Sequence, residues 1–445
     1  MNKRFNNDSR LPAAIIVACL LAVSSSAGEL SLQERIEQAS PGDEIIVDGG
    51  IHPGGIVIDR SVTLTGINRP HIEGDRSGHT VSIRADDVTL QGFHITGSGL
   101  NLSADHAAVH IAARGARILE NDIADSLHGV YIRGVDEVRV AHNRIRGVEE
   151  TVAADLGGAA PASASSGDLC AVSQDRRGNG VHFWNSSDNI VIGNEISGVR
   201  DGIYFSFTRQ STVEGNTIYN ARYGLHYMYS DSNYLARNIF TRNVAGAALM
   251  FSKEVVLRDN DFVDNRGSRA YGLLLHNVDR STVESNRMEH NRVGYYMQNS
   301  HVNTARRNDF TRNYIGLRLT SSSTGNLFTR NRIGHNLHNI DLSGRDNRNE
   351  WQENETGNRW LDSPTLDING DGVSELPHRE VDLFGPSREA FPFIAFLSES
   401  PGMKALRFAL QRAPVPGTHY ITDSRPVASS PRDPDPSALE TSSAR

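Results

Sequence analysis

From Asn121 onwards the chain repeats one pattern of polar and apolar positions about every 22 residues. Asn194, Asn216, Asn238 and Asn260 step by 22, as do Asn121 to Asn143 and Asn286 to Asn308, and Asn331 and Asn354 follow at steps of 23. An apolar residue sits two positions after most of these Asn residues, as at Ile196, Ile218, Phe240, Phe262 and Phe310. Another sits three positions before, as at Val191, Val213, Leu235, Leu257 and Trp351. A second Asn closes most units (Asn243, Asn265, Asn291, Asn313, Asn336), and a Gly then opens an alternating run such as Gly202-Ile-Tyr-Phe or Gly224-Leu-His-Tyr-Met. Period-two alternation puts one set of side chains into a core and the other outside. Asn and Gly are expected where the chain turns sharply, because both tolerate left-handed backbone. Stacked Asn side chains can also hydrogen-bond from coil to coil. The pattern predicts an all-β, right-handed parallel β-helix with about 22 residues per coil. A unit this short cannot supply the four strands of a propeller blade.

A solenoid must cover its end strands. Leu30 to Ala39 is amphipathic, with Leu32, Ile36 and Ala39 on one side, and predicts an N-terminal cap. Coils poorer in Asn follow from Ile45 to Gly99. Residues 149–178, rich in Ala, Ser and Gly and carrying Cys170, predict a flexible insertion, and a four-residue bulge falls near Gly267 to Ala270. After Trp360 the repeat ends. Residues 361–412 then form a C-terminal region, partly helical over 388–412, which caps the last coil or docks on a partner; 413–445 are expected to be a disordered tail.

Composition narrows the function. Of 445 residues, Lys+Arg number 45 and Asp+Glu 53, a formal charge of −8, which argues against a nucleic-acid partner. Lys3, Arg4 and Arg10 precede an apolar run from Leu11 to Val23 and then the small residues Ser24 to Ala27, an export signal with cleavage expected after Ala27. The apolar run continues past Cys19, which argues against reading Ile16 to Cys19 as a lipidation site. Cleavage would leave Cys170 alone, so no internal disulfide is expected.

Counting from each coil's Gly, positions one and three point inward, and positions two and four outward. Position two gives His182, Tyr204, His226, Ala248 and Leu274; position four gives Trp184, Ser206, Met228, Met250 and His276. Parallel strands lie about 4.8 Å apart, so Met228, Met250 and His276 should be neighbours in one column with His226 beside Met228. Thioether and imidazole suit copper, above all Cu(I). His226, Met228, Met250 and His276 are thus candidate copper ligands. His182, Trp184 and Tyr204 are a candidate partner face, and an aromatic surface with incidental Met and His remains a third reading. Asp367, Asn369, Asp371 and Gly372 have the spacing of a calcium loop, but His378 occupies the position of the closing Glu, so an Asx-rich turn competes. His106 and His110 share a strand face and are given no role. A polysaccharide-cleaving or epimerising enzyme needs convergent carboxylates on the outward strands. Arg318 and Asp341 appear there only near the end of the stack, so no catalytic site is assigned; a structural adhesin is the other alternative.

The export signal, the Asn–Gly coils and the run Gly357-Asn-Arg-Trp360 into Asp367-Ile-Asn-Gly-Asp-Gly372, followed by Leu376-Pro-His-Arg379 and Val381-Asp-Leu-Phe384, closely resemble the NosD family over roughly residues 29–427. The resemblance implies a periplasmic accessory protein, not an enzyme, for copper-centre assembly on nitrous oxide reductase. It further implies partnership with an ABC-type membrane complex, which would hold the protein at the inner membrane, and copper received from a copper chaperone. The insertion at 149–178 departs from that family.

Overall fold

In a computed structural model the residues described are 30–148, 177–267, 270–343, 348–381, 400–412 and 420–428. The expected export signal, nearly all of the insertion with Cys170, and Phe393, Phe396 and Leu397 lie outside them. The described strands of the solenoid form three parallel sheets of 12, 13 and 12 strands; each coil adds one strand to each sheet until the last, which adds Arg359–Trp360 to the second sheet alone. The chain is therefore a parallel β-helix. Register follows the repeat: Val191, Val213, Leu235, Leu257 and Val283 pair in sequence along the first sheet, and all are fully buried.

Each ladder Asn donates both its main-chain N–H and its Nδ2 to Oδ1 of the Asn one coil on. The series runs Asn121, Asn143, Asn194, Asn216, Asn238, Asn260, Asn286, Asn308, Asn331, Asn358 at 2.9–3.1 Å. Two expectations are corrected. The last step goes to Asn358 rather than Asn354, because residues 353–356 form a tight turn that adds four residues to that coil. The left-handed corner falls on the residue before each ladder Asn, as at His142, Gly215, Arg237, Asp259 and Arg307, not on the Asn itself. The Asn residues are there to satisfy buried main-chain groups at the bend, which the neighbouring strand leaves without partners.

Both ends are closed. Helix Leu32–Gln38 starts from a capping box between Ser31 and Glu34 and buries Leu32 and Ile36 on the first coil. Gln33 donates to and accepts from the main chain of Val57 at 3.2 and 2.9 Å, standing in for the strand that is missing there. At the other end, strand Tyr420–Asp423 pairs antiparallel with His378–Val381. This lies within the stretch expected to be a disordered tail: Ile421 is buried in the core and the Asp423 carboxylate accepts from Asn358 N–H at 2.6 Å and Trp360 Nε1 at 3.0 Å. Helix Pro401–Arg412 leaves Leu406 and Phe408 exposed. Among the described residues no helix is long and apolar enough to cross a membrane.

Candidate metal site

The outer face of the third sheet carries the chemistry. On strands Val181–Ser187, Asp201–Arg209, Tyr223–Met228, Ala245–Lys253 and Tyr271–Asp279, the apolar positions Phe183, Phe205, Leu225, Leu249 and Leu275 are fully buried inside the coil. The alternate positions therefore project outward. Register sets His182, Tyr204, His226, Ala248 and Leu274 in one column, and Trp184, Ser206, Met228, Met250, His276 and Gln298 in the next. Met228, Met250 and His276 are thus cross-strand neighbours, as the repeat count places them. These positions are less solvated than outward placement implies. Ala248 and Leu274 are buried, and Met228, Met250, His226 and His276 are half-buried, because flanking rings shelter them.

Tyr204 joins the two columns: its ring packs 4.8 Å from that of His226, and its hydroxyl donates to the Met228 sulfur at 3.8 Å. His226 is fixed by Asp201, fully buried on the preceding coil, whose Oδ2 lies 2.9 Å from Nδ1. A carboxylate can only accept here, so Nδ1 carries a proton, and in the neutral ring this leaves the lone pair on Nε2. Burial alone would raise the Asp201 carboxyl, but the hydrogen bonds from His226 and Arg222 outweigh it and hold the group below its ordinary value. His276 has the same form, with Nδ1 donating to Gln298 Oε1 at 2.9 Å.

The first column continues upstream through His110 and Tyr131, across the insertion, so that His110, Tyr131, His182, Tyr204 and His226 form one row of rings. His79 stacks on His110 at 4.3 Å and His128 flanks Tyr131 and His182. Burial pushes His79 and His128 down to about 4 and lowers His110 and His182 as well, so these four imidazoles are uncharged at neutral pH. Its imidazoles are prepared differently. Nδ1 of His79 accepts from Ala107 N–H at 3.2 Å, and Nδ1 of His128 from Asn179 N–H at 2.9 Å, which places the proton on Nε2. His182 Nδ1 faces Asn179 Nδ2 at 3.2 Å, with the same consequence.

Of the expected partner face, Trp184 is 41% exposed under the Arg133 guanidinium, whereas His182 and Tyr204 are half-buried and meet edge to face at 4.5 Å. Beside the Met column lies a strip that the repeat count does not single out. Phe207, Tyr229 and Phe251 are exposed, stack at 5.2 and 5.1 Å, and all occupy left-handed backbone that Asn185, Asn277 and Asn299 fill in neighbouring coils. Phe251 packs on His276 at 5.3 Å. In the loop of Asp367, Asn369 and Asp371, side-chain oxygens of all three accept from main-chain N–H groups of Gly370, Gly372, Asp371 and Val373, as in Asx turns. Among the described residues no group of three His, Cys, Asp or Glu is placed to hold a metal ion, so a cation on this face would be met by sulfur and imidazole. Arg318 and Asp341 form an ion pair at 2.7 Å rather than a pair of carboxylates.

Fold and face together define a β-helix scaffold with a thioether–imidazole strip on one sheet. Residues 162–365 match the family described as "Periplasmic copper-binding protein (NosD)". A protein of Pseudomonas aeruginosa named "Probable ABC transporter binding protein NosD" is 35% identical over 86% of this chain and 87% of its own length. One of the same name from Stutzerimonas stutzeri is 32% identical over 96% of each. The chain belongs to the NosD family. The mannuronan C-5 epimerase A-module of Azotobacter vinelandii is 10% identical over 75% of this chain and 94% of its own, at a TM-score of 0.45, and carries no argument about activity.

Proposed function

We propose that this protein is a periplasmic accessory factor that holds copper as cargo during assembly of the copper centres of nitrous oxide reductase. It would take the ion from a copper chaperone and act with an ABC-type membrane complex. One observation carries the reading: Met228, Met250 and His276 stand in register on three successive strands of one outer face. Their donor set favours Cu(I) over the hard cations. Sheltering by Tyr204 and Phe251 reduces competition from water. The family description names copper, and the names of the relatives supply the transporter partner. The exposed Leu406 and Phe408 of the C-terminal helix would contact that complex. The test is Cu(I) binding by the purified protein against a chromophoric chelator. Met228→Leu/Met250→Leu should lose the ion with the fold intact, and unchanged binding in that variant removes this site. Recovery of the protein on a membrane ATPase complex, lost in Leu406→Glu/Phe408→Glu, tests the second half.

A further inference from the structure

We propose that Asp201 and Gln298 are the positioning residues of this strip. Each holds one imidazole in the tautomer that leaves Nε2 open to a soft cation. The inference rests on the copper reading above and goes further by assigning residues that touch no ion.

Partners fix the tautomer at five imidazoles on this face. Three of them, His79, His128 and His182, accept a hydrogen bond at Nδ1 and so carry the proton on Nε2, where no lone pair remains for a metal. Only His226 and His276, the two beside the methionines, donate from Nδ1, to Asp201 and Gln298 at 2.9 Å each. Neither acceptor is incidental. Asp201 is fully buried and held from its other side by two bonds from Arg222, at 3.0 and 2.8 Å, so its Oδ2 cannot swing away. Gln298 follows His276 directly in the column. An acceptor on the far nitrogen of a metal-binding imidazole fixes its orientation and raises its basicity.

The two imidazoles also lie at opposite ends of the strip. His226 and His276 are two strands and two residues apart, about 12 Å at Cα from ~4.8 Å per strand and ~3.3 Å per residue. Bonds to a metal run about 2 Å. Both side chains leave the sheet in the same outward direction, so their rings do not converge on one ion; each imidazole serves its own end of the methionine pair and needs its own positioning residue.

The experiment uses the exported full-length protein without metal, then with Cu(I). Nitrogen-15 chemical shifts of the imidazoles read the tautomer directly. His226 and His276 should report protonated Nδ1, and His128 protonated Nε2. In Gln298→Leu, His276 should lose its Nδ1–H preference and Cu(I) affinity should fall about 10- to 100-fold. Gln298→Glu, which keeps an acceptor, should restore both. An unchanged His276 tautomer in Gln298→Leu overturns the proposal, as does an equal loss of affinity in the Leu and Glu variants. Wild-type protein that binds no Cu(I) would refute the copper reading, while the tautomer measurement would still decide the positioning roles.

Discussion

Replacing Asn238 with Ala should be among the most damaging single changes this solenoid can suffer, although no apolar core atom is lost. Asn238 Oδ1 accepts from Asn216 N–H at 3.0 Å and Asn216 Nδ2 at 2.9 Å, and its own Nδ2 donates to Val213 O at 2.9 Å and Asn260 Oδ1 at 3.0 Å. Asn216 and Asn260, like Asn238 itself, are fully buried. The substitution leaves a main-chain N–H on one side and a main-chain carbonyl on the other without this partner. Each buried orphan costs about 1–3 kcal/mol, so the loss should be about 2–6 kcal/mol. Asn238→Asp retains the acceptor but turns a second oxygen toward Val213 O and Asn260 Oδ1, and should be no milder at pH 7. Urea unfolding followed by circular dichroism measures both, with Arg237→Ala as the neighbouring control. Arg237 is solvated and its pairing with Glu214 lies at the surface, so its midpoint should stay at the wild-type value. A loss below about 1 kcal/mol for Asn238→Ala would refute the claim that the ladder stabilises the stack through buried main-chain groups.

Other consequences follow from the same packing. Burial holds His128 at about 4 in the folded chain against 6.5 when unfolded, so the unfolded state binds the proton first as pH falls. Stability is complete above about 6.5 and declines by about 3 kcal/mol between there and pH 4 from this residue; His128→Phe should flatten the slope of stability against pH. Gly246→Ala should destabilise by more than about 3 kcal/mol, because its Cβ would lie 2.3 Å from the Gly272 carbonyl oxygen, main chain that cannot move aside; a soluble variant with wild-type melting would contradict this. Phe240→Ala should cost about 3–5 kcal/mol by opening a cavity in a fully buried stack of rings, read as a lowered melting temperature.

The fold was legible because its interactions recur at a fixed spacing. One Asn per coil sets the register, and register alone puts Met228, Met250 and His276 in line. Three things escaped that count. Asp201 meets His226 across a coil and three residues along the strand, a diagonal that depends on how the imidazole ring leans rather than on any spacing. The row His110, Tyr131, His182 is interrupted in sequence by the insertion, so a step of 51 residues hides a cross-strand pair. The closing strand Tyr420–Asp423 lies within the Pro- and Ser-rich stretch that reads as tail, and long-range contacts hold it: pairing with 378–381, Ile421 in the core and Asp423 on Asn358 and Trp360. Where a contact is set by one singular long-range pairing, periodicity carries no information about it.

The Asn ladder has a direction: each Asn gives its main-chain N–H and one Nδ2 hydrogen bond to the Asn one coil on, so the last member, Asn358, is left with donors to fill. Left open, that end would expose a strand edge of the kind to which other chains pair. Asp423 is the terminator. Its carboxylate fills the position of the next Asn but supplies only acceptors, so it satisfies the final donors and offers none onward. That closing residue lies 65 positions after the last ladder Asn, so the final step of the stack waits for a segment far along the chain.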